Sequence, residues 1–224
     1  MVIGETTCRL GLVPDGKVAN PKGNCFITVK DVTTMYTQAQ FLNLSVDEYF
    51  KLELESFTRH EYIAGQVYPI LGETQVEKMI TENIFTRLRT HLYGTNFRTF
   101  SSNMKVKLEP LDIFYYPEIF VTSNYQDIGK PFKTHPCLIV EVISSITERI
   151  DRNEKIFNYQ QIDSLQEYIL VSQSHIQVDI YRKDNQNNWF LEVFKSPLDS
   201  IEFSSVDLTI LISEIYEDIE LNPN

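Results

Sequence analysis

The sequence predicts an α/β fold, a mixed β-sheet flanked by helices, and three observations carry that prediction. Val76, Ile80, Ile84, Leu88 and Leu92 recur at four-residue steps, the spacing of one helix face. Short β-branched or alternating runs, above all Leu138-Ile139-Val140-Glu141-Val142-Ile143, have the length and composition of strands. The order of the patterns is helix, hairpin, helix, strands, helix, strands, which suits a mixed sheet with helices packed on it.

Residues 1 to 40 lack apolar periodicity and are rich in turn formers, such as Pro14-Asp15-Gly16 and Asn20-Pro21-Lys22-Gly23-Asn24, so they are expected to form a poorly ordered arm. A strand over residues 25 to 33 is the alternative. The folded domain is expected over residues 41 to 224, and 42% hydrophobic content is enough for one substantial core. Ser45-Val46-Asp47-Glu48 has the form of a capping box and predicts a short helix carrying Tyr49, Phe50, Leu52 and Leu54. Residues 62 to 70 read as a hairpin turning at Ala64-Gly65. The long helix follows over 74 to 93, with Gly94 as its stop. Strands are expected over 98–108, 113–121 and 138–143, then a helix over 147–162 carrying Ile150, Ile156, Phe157 and Ile162. Three more strands, 167–173, 175–182 and 189–194, precede a short closing helix at 213–219.

Twenty basic against thirty-one acidic residues give a net charge of −11, which excludes a general nucleic-acid coat protein but leaves room for a local basic groove. The three cysteines, Cys8, Cys25 and Cys137, form neither a CxxC pair nor an even disulfide framework, and Cys137 reads as a small buried hydrophobe. No basic segment followed by an apolar one opens the chain, and no apolar run approaches the length of a membrane span. A cytoplasmic protein with no membrane partner is the expectation. His60-Glu61 lacks the second histidine of a zinc-protease motif, and neither a phosphate-binding P-loop nor a dinucleotide fingerprint is present.

Chemistry is signalled by acids inside apolar strands. Glu141 interrupts a run that should be covered on both faces, where an uncompensated carboxylate costs on the order of several kcal/mol. A metal ion, a lysine or protonation could each compensate it. Glu118 interrupts a second apolar stretch, and Pro117 before it breaks strand pairing and re-aims the acid. Two such carboxylates brought to one point supply the oxygen ligands that Mg²⁺ prefers. Downstream, Asp151, Lys155 and Tyr159 lie at i, i+4 and i+8 and share a helix face. Taken singly, each of these is better explained as a partly exposed edge acid or a solvated helix pair. Taken together they point to a site.

Tyr115-Tyr116-Pro117-Glu118, Pro136 to Ser144 with Glu141 at its centre, Asp151-Arg152-Asn153-Glu154-Lys155 and Tyr159 resemble the signature of the Uma-two family, as do Arg59 to Gly65 and Leu165-Gln166-Glu167-Tyr168. That family is placed among the PD-(D/E)xK restriction-endonuclease-like proteins. The resemblance implies a restriction-endonuclease-like fold, an endonuclease acting on nucleic acid, with DNA expected, and Mg²⁺ or Mn²⁺ as cofactor. It implies that Glu118 and Glu141 hold the metal. Lys155 would serve as a migrated lysine, because Ile143 occupies the usual lysine position. Asp151 and Tyr159 would orient that lysine, and Glu61 would be an accessory acid. A homodimer is also implied. The chain departs from the pattern at Glu118, where Asp is usual, at Gln66, where an acid is usual, and at Ala64, where Asp is usual. The alternative is therefore an inactive nuclease-fold module that binds or regulates. Lys105, Lys107, Lys130, Lys133, Arg149 and Arg152 flank the motifs and are expected either to contact phosphates or to be solvated.

Overall fold

The computed structural model describes residues 43 to 221, apart from 71, 125–126 and 145–149, together with the backbone of three two-residue strands ahead of them. Those strands, β1 (Gly11–Leu12), β2 (Val18–Ala19) and β3 (Phe26–Ile27), pair antiparallel in that order. The rest of the expected arm lies outside the described residues.

Ser45 opens α1 (Val46–Glu55): its hydroxyl accepts from the Glu48 N–H while the Glu48 carboxylate accepts from the Ser45 N–H, so two orphan donors of the first turn are satisfied. The predicted hairpin follows as β4 (His60–Ile63) and β5 (Gln66–Pro69). Its turn holds both Ala64 (φ 45) and Gly65 (φ 92) left-handed, the geometry that matches strand twist in a two-residue loop. The Gly65 carbonyl accepts from Leu44, and a Cβ added at Gly65 would lie 3.3 Å from the Asn43 backbone. Gly65→Ala is therefore expected to destabilise by about 1–2 kcal/mol, lowering the melting temperature by a few degrees in calorimetry.

The long helix α2 (Gln75–His91) is capped by a second reciprocal pair, Thr74 and Glu77, and the chain turns away at Gly94 (φ 80). Two predicted strands divide at this point of the chain. Residues 98–108 form β6 (Arg98–Ser101) and β7 (Lys105–Leu108), separated by a turn in which the Met104 N–H bonds the Ser101 carbonyl. Residues 113–121 form β8 (Ile113–Tyr115) and β9 (Ile119–Thr122), broken at Tyr116-Pro117-Glu118. Pro117 has no N–H to give a ladder, as its sequence position implied. A short β10 (Phe132–Lys133) and the apolar β11 (Leu138–Ile143) come next. A π-helical turn (Ile150–Lys155) then runs into α3 (Ile156–Tyr159). After it come β12 (Glu167–Ser172), β13 (Val178–Lys183) and β14 (Trp189–Phe194), with residues 175 to 177 in a turn rather than in the expected strand. A hairpin that the sequence reading lacked, β15 (Ser200–Phe203) and β16 (Leu208–Leu211), precedes α4 (Ile212–Ile215).

The strands form a six-stranded mixed sheet, β14-β13-β12-β11-β9-β6, and a five-stranded one, β10-β7-β8-β4-β5. Both divided strands cross from one sheet to the other, so the breaks at Ser102 and at Pro117 are where the two sheets join. Central β11 pairs parallel with β12 and antiparallel with β9, and all six of its residues are buried. Its side chains alternate between two cores. Leu138, Val140 and Val142 pack with Ile80, Ile84 and Leu88 of α2, while Ile139 and Ile143 pack with Tyr115, Tyr159, Tyr168 and Phe120. Each fully buried aliphatic side chain stabilises by about 1.5–3 kcal/mol relative to exposure. Glu141 belongs to the second set by alternation and enters the aromatic core. Among the described residues no helix is long and apolar enough to cross a membrane.

Candidate active site

The β11–β9 register runs Leu138↔Val121, Ile139↔Phe120, Val140↔Ile119, and its next step would set Glu141 opposite Glu118. Pairing stops there because Pro117 ends the strand, and the Glu118 N–H turns to the Glu141 Oε2 instead, at 3.3 Å. Two carboxylates from neighbouring strands thus meet at one side of the sheet junction. The Glu118 Oε2 is buried and has no hydrogen-bond partner among the described residues.

Lys155 reaches the same point from the π-helical turn. Its Nζ lies 3.2 Å from Glu141 Oε1, 3.0 Å from Glu61 Oε1 and 3.3 Å from Asp151 Oδ1. Glu61 comes from β4 and so from the other sheet. The Tyr159 hydroxyl donates to Glu141 Oε1 at 3.1 Å, Tyr168 donates to the Asp151 carbonyl at 3.2 Å, and the Tyr115 ring lies 5.4 Å from the ammonium. All six residues singled out in the sequence, Glu61, Glu118, Glu141, Asp151, Lys155 and Tyr159, therefore converge. The side chains of Lys155, Glu61, Glu141 and Asp151 are only 4–16% exposed, so their charges must be balanced locally.

Three carboxylates face one ammonium, Glu118 adjoins Glu141, and Glu77 and Glu73, at the start of α2, add further negative potential at Glu118, so protons are retained on the acids. Burial first, and then the neighbouring Glu141, push the Glu118 carboxyl up to about 8. Burial also raises Glu61 and Glu141 against the pull of Lys155. Burial by itself would lower the Lys155 pKa, but the three carboxylates hold it well above the usual lysine value. The contribution of Glu77 was not anticipated, and the signal for it was present: an acid at the third position of a capped helix is held at that helix's N-terminus. The flanking bases divide, Lys130 being exposed and others enclosed. Lys105 and Lys133 are buried, Lys133 donating to the Asp127 carbonyl at 2.5 Å, while Lys130 pairs with Asp127 and Arg152 with Asp179. Arg149 lies outside the described residues. Cys137 sits just before β11, half-buried, with its thiol pushed by burial up to about 12, as suits a packing residue.

An all-oxygen donor set with surplus buried negative charge and an orphaned carboxylate oxygen fits a hard divalent cation. Among the described residues no group of three or more His, Cys, Asp or Glu side chains is arranged to enclose a metal, so Glu118 and Glu141 would supply two ligands and water or substrate the remainder.

Comparison with known proteins identifies the fold and the family. A structure titled as a putative nuclease belonging to DUF820, from Anabaena variabilis, superposes with a TM-score of 0.63 at 18% identity, covering 77% of this chain and 97% of that one, which establishes the fold. Two uncharacterized proteins of Synechocystis are similar in sequence: slr1290 at 31% identity over 179 residues (80% of this chain, 94% of that protein) and sll1609 at 29% over 164 residues (72% and 93%). The family model described as "Putative restriction endonuclease" matches residues 46–210, nearly the whole span from α1 to β16 and every residue of the cluster. The chain belongs to the Uma2 family.

Proposed function

We propose that the protein is a divalent-metal-dependent endonuclease that hydrolyses phosphodiester bonds in nucleic acid, with DNA as the expected substrate. One observation carries this reading: the adjoining buried carboxylates of Glu118 and Glu141, with Lys155 hydrogen-bonded to the second. Glu118 and Glu141 would hold Mg²⁺ or Mn²⁺. When bound, such an ion supplies a Lewis acid that acidifies water and offsets phosphate charge. Lys155 keeps a permanent positive charge beside the acids, where it can donate to a phosphate oxygen or to the attacking water. Asp151 and Glu61 hold that ammonium in place and protonated, and Tyr159 fixes the Glu141 rotamer through its hydroxyl. Aromatic walls from Tyr115, Tyr159 and Tyr168 lower the local dielectric and strengthen each of these interactions.

A second reading, an inactive nuclease-fold module, is favoured by one feature. The three N–H bonds of Lys155 face three carboxylates, so a donor reaches substrate only if one of them gives way. Assays on single- and double-stranded DNA and RNA with Mg²⁺ or Mn²⁺ decide: metal-dependent cleavage supports the nuclease, and its absence on every substrate supports the module.

The carboxylates also make a prediction about pH. Glu118 is raised from 4.5 to about 8 in the folded protein, so between those values the native state binds a proton that the unfolded state has lost. Its contribution to stability is full below about pH 4.5 and is lost as pH rises through 8. Without metal, the melting temperature should decline across that window. Millimolar Mg²⁺ should reverse the decline most strongly at pH 8, because the metal competes with the proton for the same oxygens. A metal-induced rise that is as large in Glu118→Gln as in the wild type would remove Glu118 from the metal site.

A further inference from the structure

Beside Tyr116 lies a concavity lined by none of the clustered acids. It has a volume of about 400 Å³, within the range of ligand sites, and is lined by Phe50, Glu53, Phe57, Arg59, Lys105 and Tyr116 among others. Tyr116 connects it to the site. Its backbone N–H bonds the Glu61 carboxylate of the site, and its ring and hydroxyl belong to the pocket, where the hydroxyl bonds Glu53. Arg59 and Tyr116, which line the pocket, each precede a site acid by two residues, a chain distance of roughly 7 Å.

The pocket holds a cation with a single carboxylate partner. Lys105 is buried, yet among the described residues its one acidic partner is Glu53, at 3.5 Å. Its ammonium otherwise faces the rings of Tyr116, Phe50 and Tyr49 at 4.8, 5.5 and 5.7 Å. An ammonium has three donors, and those not on Glu53 face rings, from which they can turn to an acceptor that enters the pocket. Glu53 is already engaged by the His60 backbone and ring nitrogens at 3.0 and 2.9 Å and by Tyr116, which anchors the charge pair to the scaffold. At the mouth, Phe57 stands wholly in solvent, where an aromatic ring buries nothing of its own protein.

We infer that this pocket receives an unpaired nucleobase bearing a ring carbonyl, stacked on Phe57 and accepting from Lys105, next to the scissile phosphate. The inference rests on the nuclease reading for its substrate class. A phosphate fits less well, because it would bring a second anion beside the Glu53 carboxylate while Arg59, the pocket's other cation, is held by Glu73 and the Ser102 carbonyl; a neutral carbonyl takes a Lys105 donor without that repulsion. The apolar walls suit a flat ring, and base–aromatic stacking is tolerant of sequence. Adenine is the one common base with no ring carbonyl, so thymine, uracil, cytosine and guanine are preferred to it. Entry requires a base outside the helical stack, which costs least in single-stranded or mismatched nucleic acid.

Fluorescence anisotropy with short oligo-dT and oligo-dA in EDTA tests the pocket. Wild-type protein should prefer oligo-dT by about tenfold, the value of a hydrogen bond to a charged donor, and Lys105→Met should erase that preference. Phe57→Ala, a change on a side chain with no packing role, should weaken binding of both oligomers by about fivefold or more. Retention of the preference in Lys105→Met, or failure of either oligomer to bind wild-type protein, overturns the inference. Should Lys105→Met not fold, unchanged affinity in Phe57→Ala overturns it alone. Metal-dependent cleavage is measured in parallel. Preference without cleavage counts against the nuclease and for the pocket, and cleavage with an unaltered preference in Lys105→Met counts against the pocket only.

Discussion

Lys155→Ala will abolish cleavage and also lower the melting temperature by roughly ten degrees at pH 8, because a buried cation removed from its partners costs about 3–5 kcal/mol. The family resemblance implied a catalytic role for this lysine. The structure makes it the counter-ion of Glu61, Glu141 and Asp151 as well, so its removal leaves three buried carboxylates facing one another. Glu61 and Glu141, already raised by burial, escape by taking up protons. Their folded-state pKa values then lie further above the unfolded values, so stability is retained at low pH and lost as pH rises. The deficit should therefore be small near pH 5 and full at pH 8. Melting curves of wild type and mutant across that range check the claim, and a deficit independent of pH would mean that Lys155 acts by packing rather than by charge.

Glu141→Gln is expected to reduce metal-dependent cleavage by on the order of 10³-fold while leaving the circular dichroism spectrum unchanged. The amide is nearly isosteric, so no cavity opens in the aromatic core. It removes one negative charge from a cluster that already holds an excess, and Lys155 keeps Glu61 and Asp151 as partners. Stability without metal should therefore hold or rise. Metal affinity should fall, since an amide oxygen replaces a charged ligand. Single-turnover cleavage at saturating Mn²⁺ and a metal titration by calorimetry measure the two effects separately. Full activity in this variant would sink the assignment of Glu141, whatever the fate of the fold.

Much of this was legible locally. Both capping boxes, the Ala64-Gly65 turn and the apolar stripe of α2 involve residues within a few positions of one another, so sequence spacing alone dictated the hydrogen bonds and the buried face. The acids could be singled out for a related reason: Glu141 and Glu118 are the residues that break an apolar pattern, and breaking it is costly wherever the strand is buried. The hairpin β15–β16 escaped because four-residue strands with polar flanks carry little periodic signal. The strand divisions at Ser102 and Pro117 were beyond local reading in their consequence, since the choice of sheet on each side of a break depends on which distant strand offers a partner.

Sequence thus determined which side chains carry charge into the core and which lie on one helical face. Only the tertiary structure decided that β4 and β11, from different sheets, would aim Glu61 and Glu141 at a single ammonium, and that Lys105 would be enclosed by rings instead of facing solvent. The reason is physical. Burial and Coulomb energy depend on distances through space, and residues far apart in the chain acquire them only when the two sheets join at Pro117.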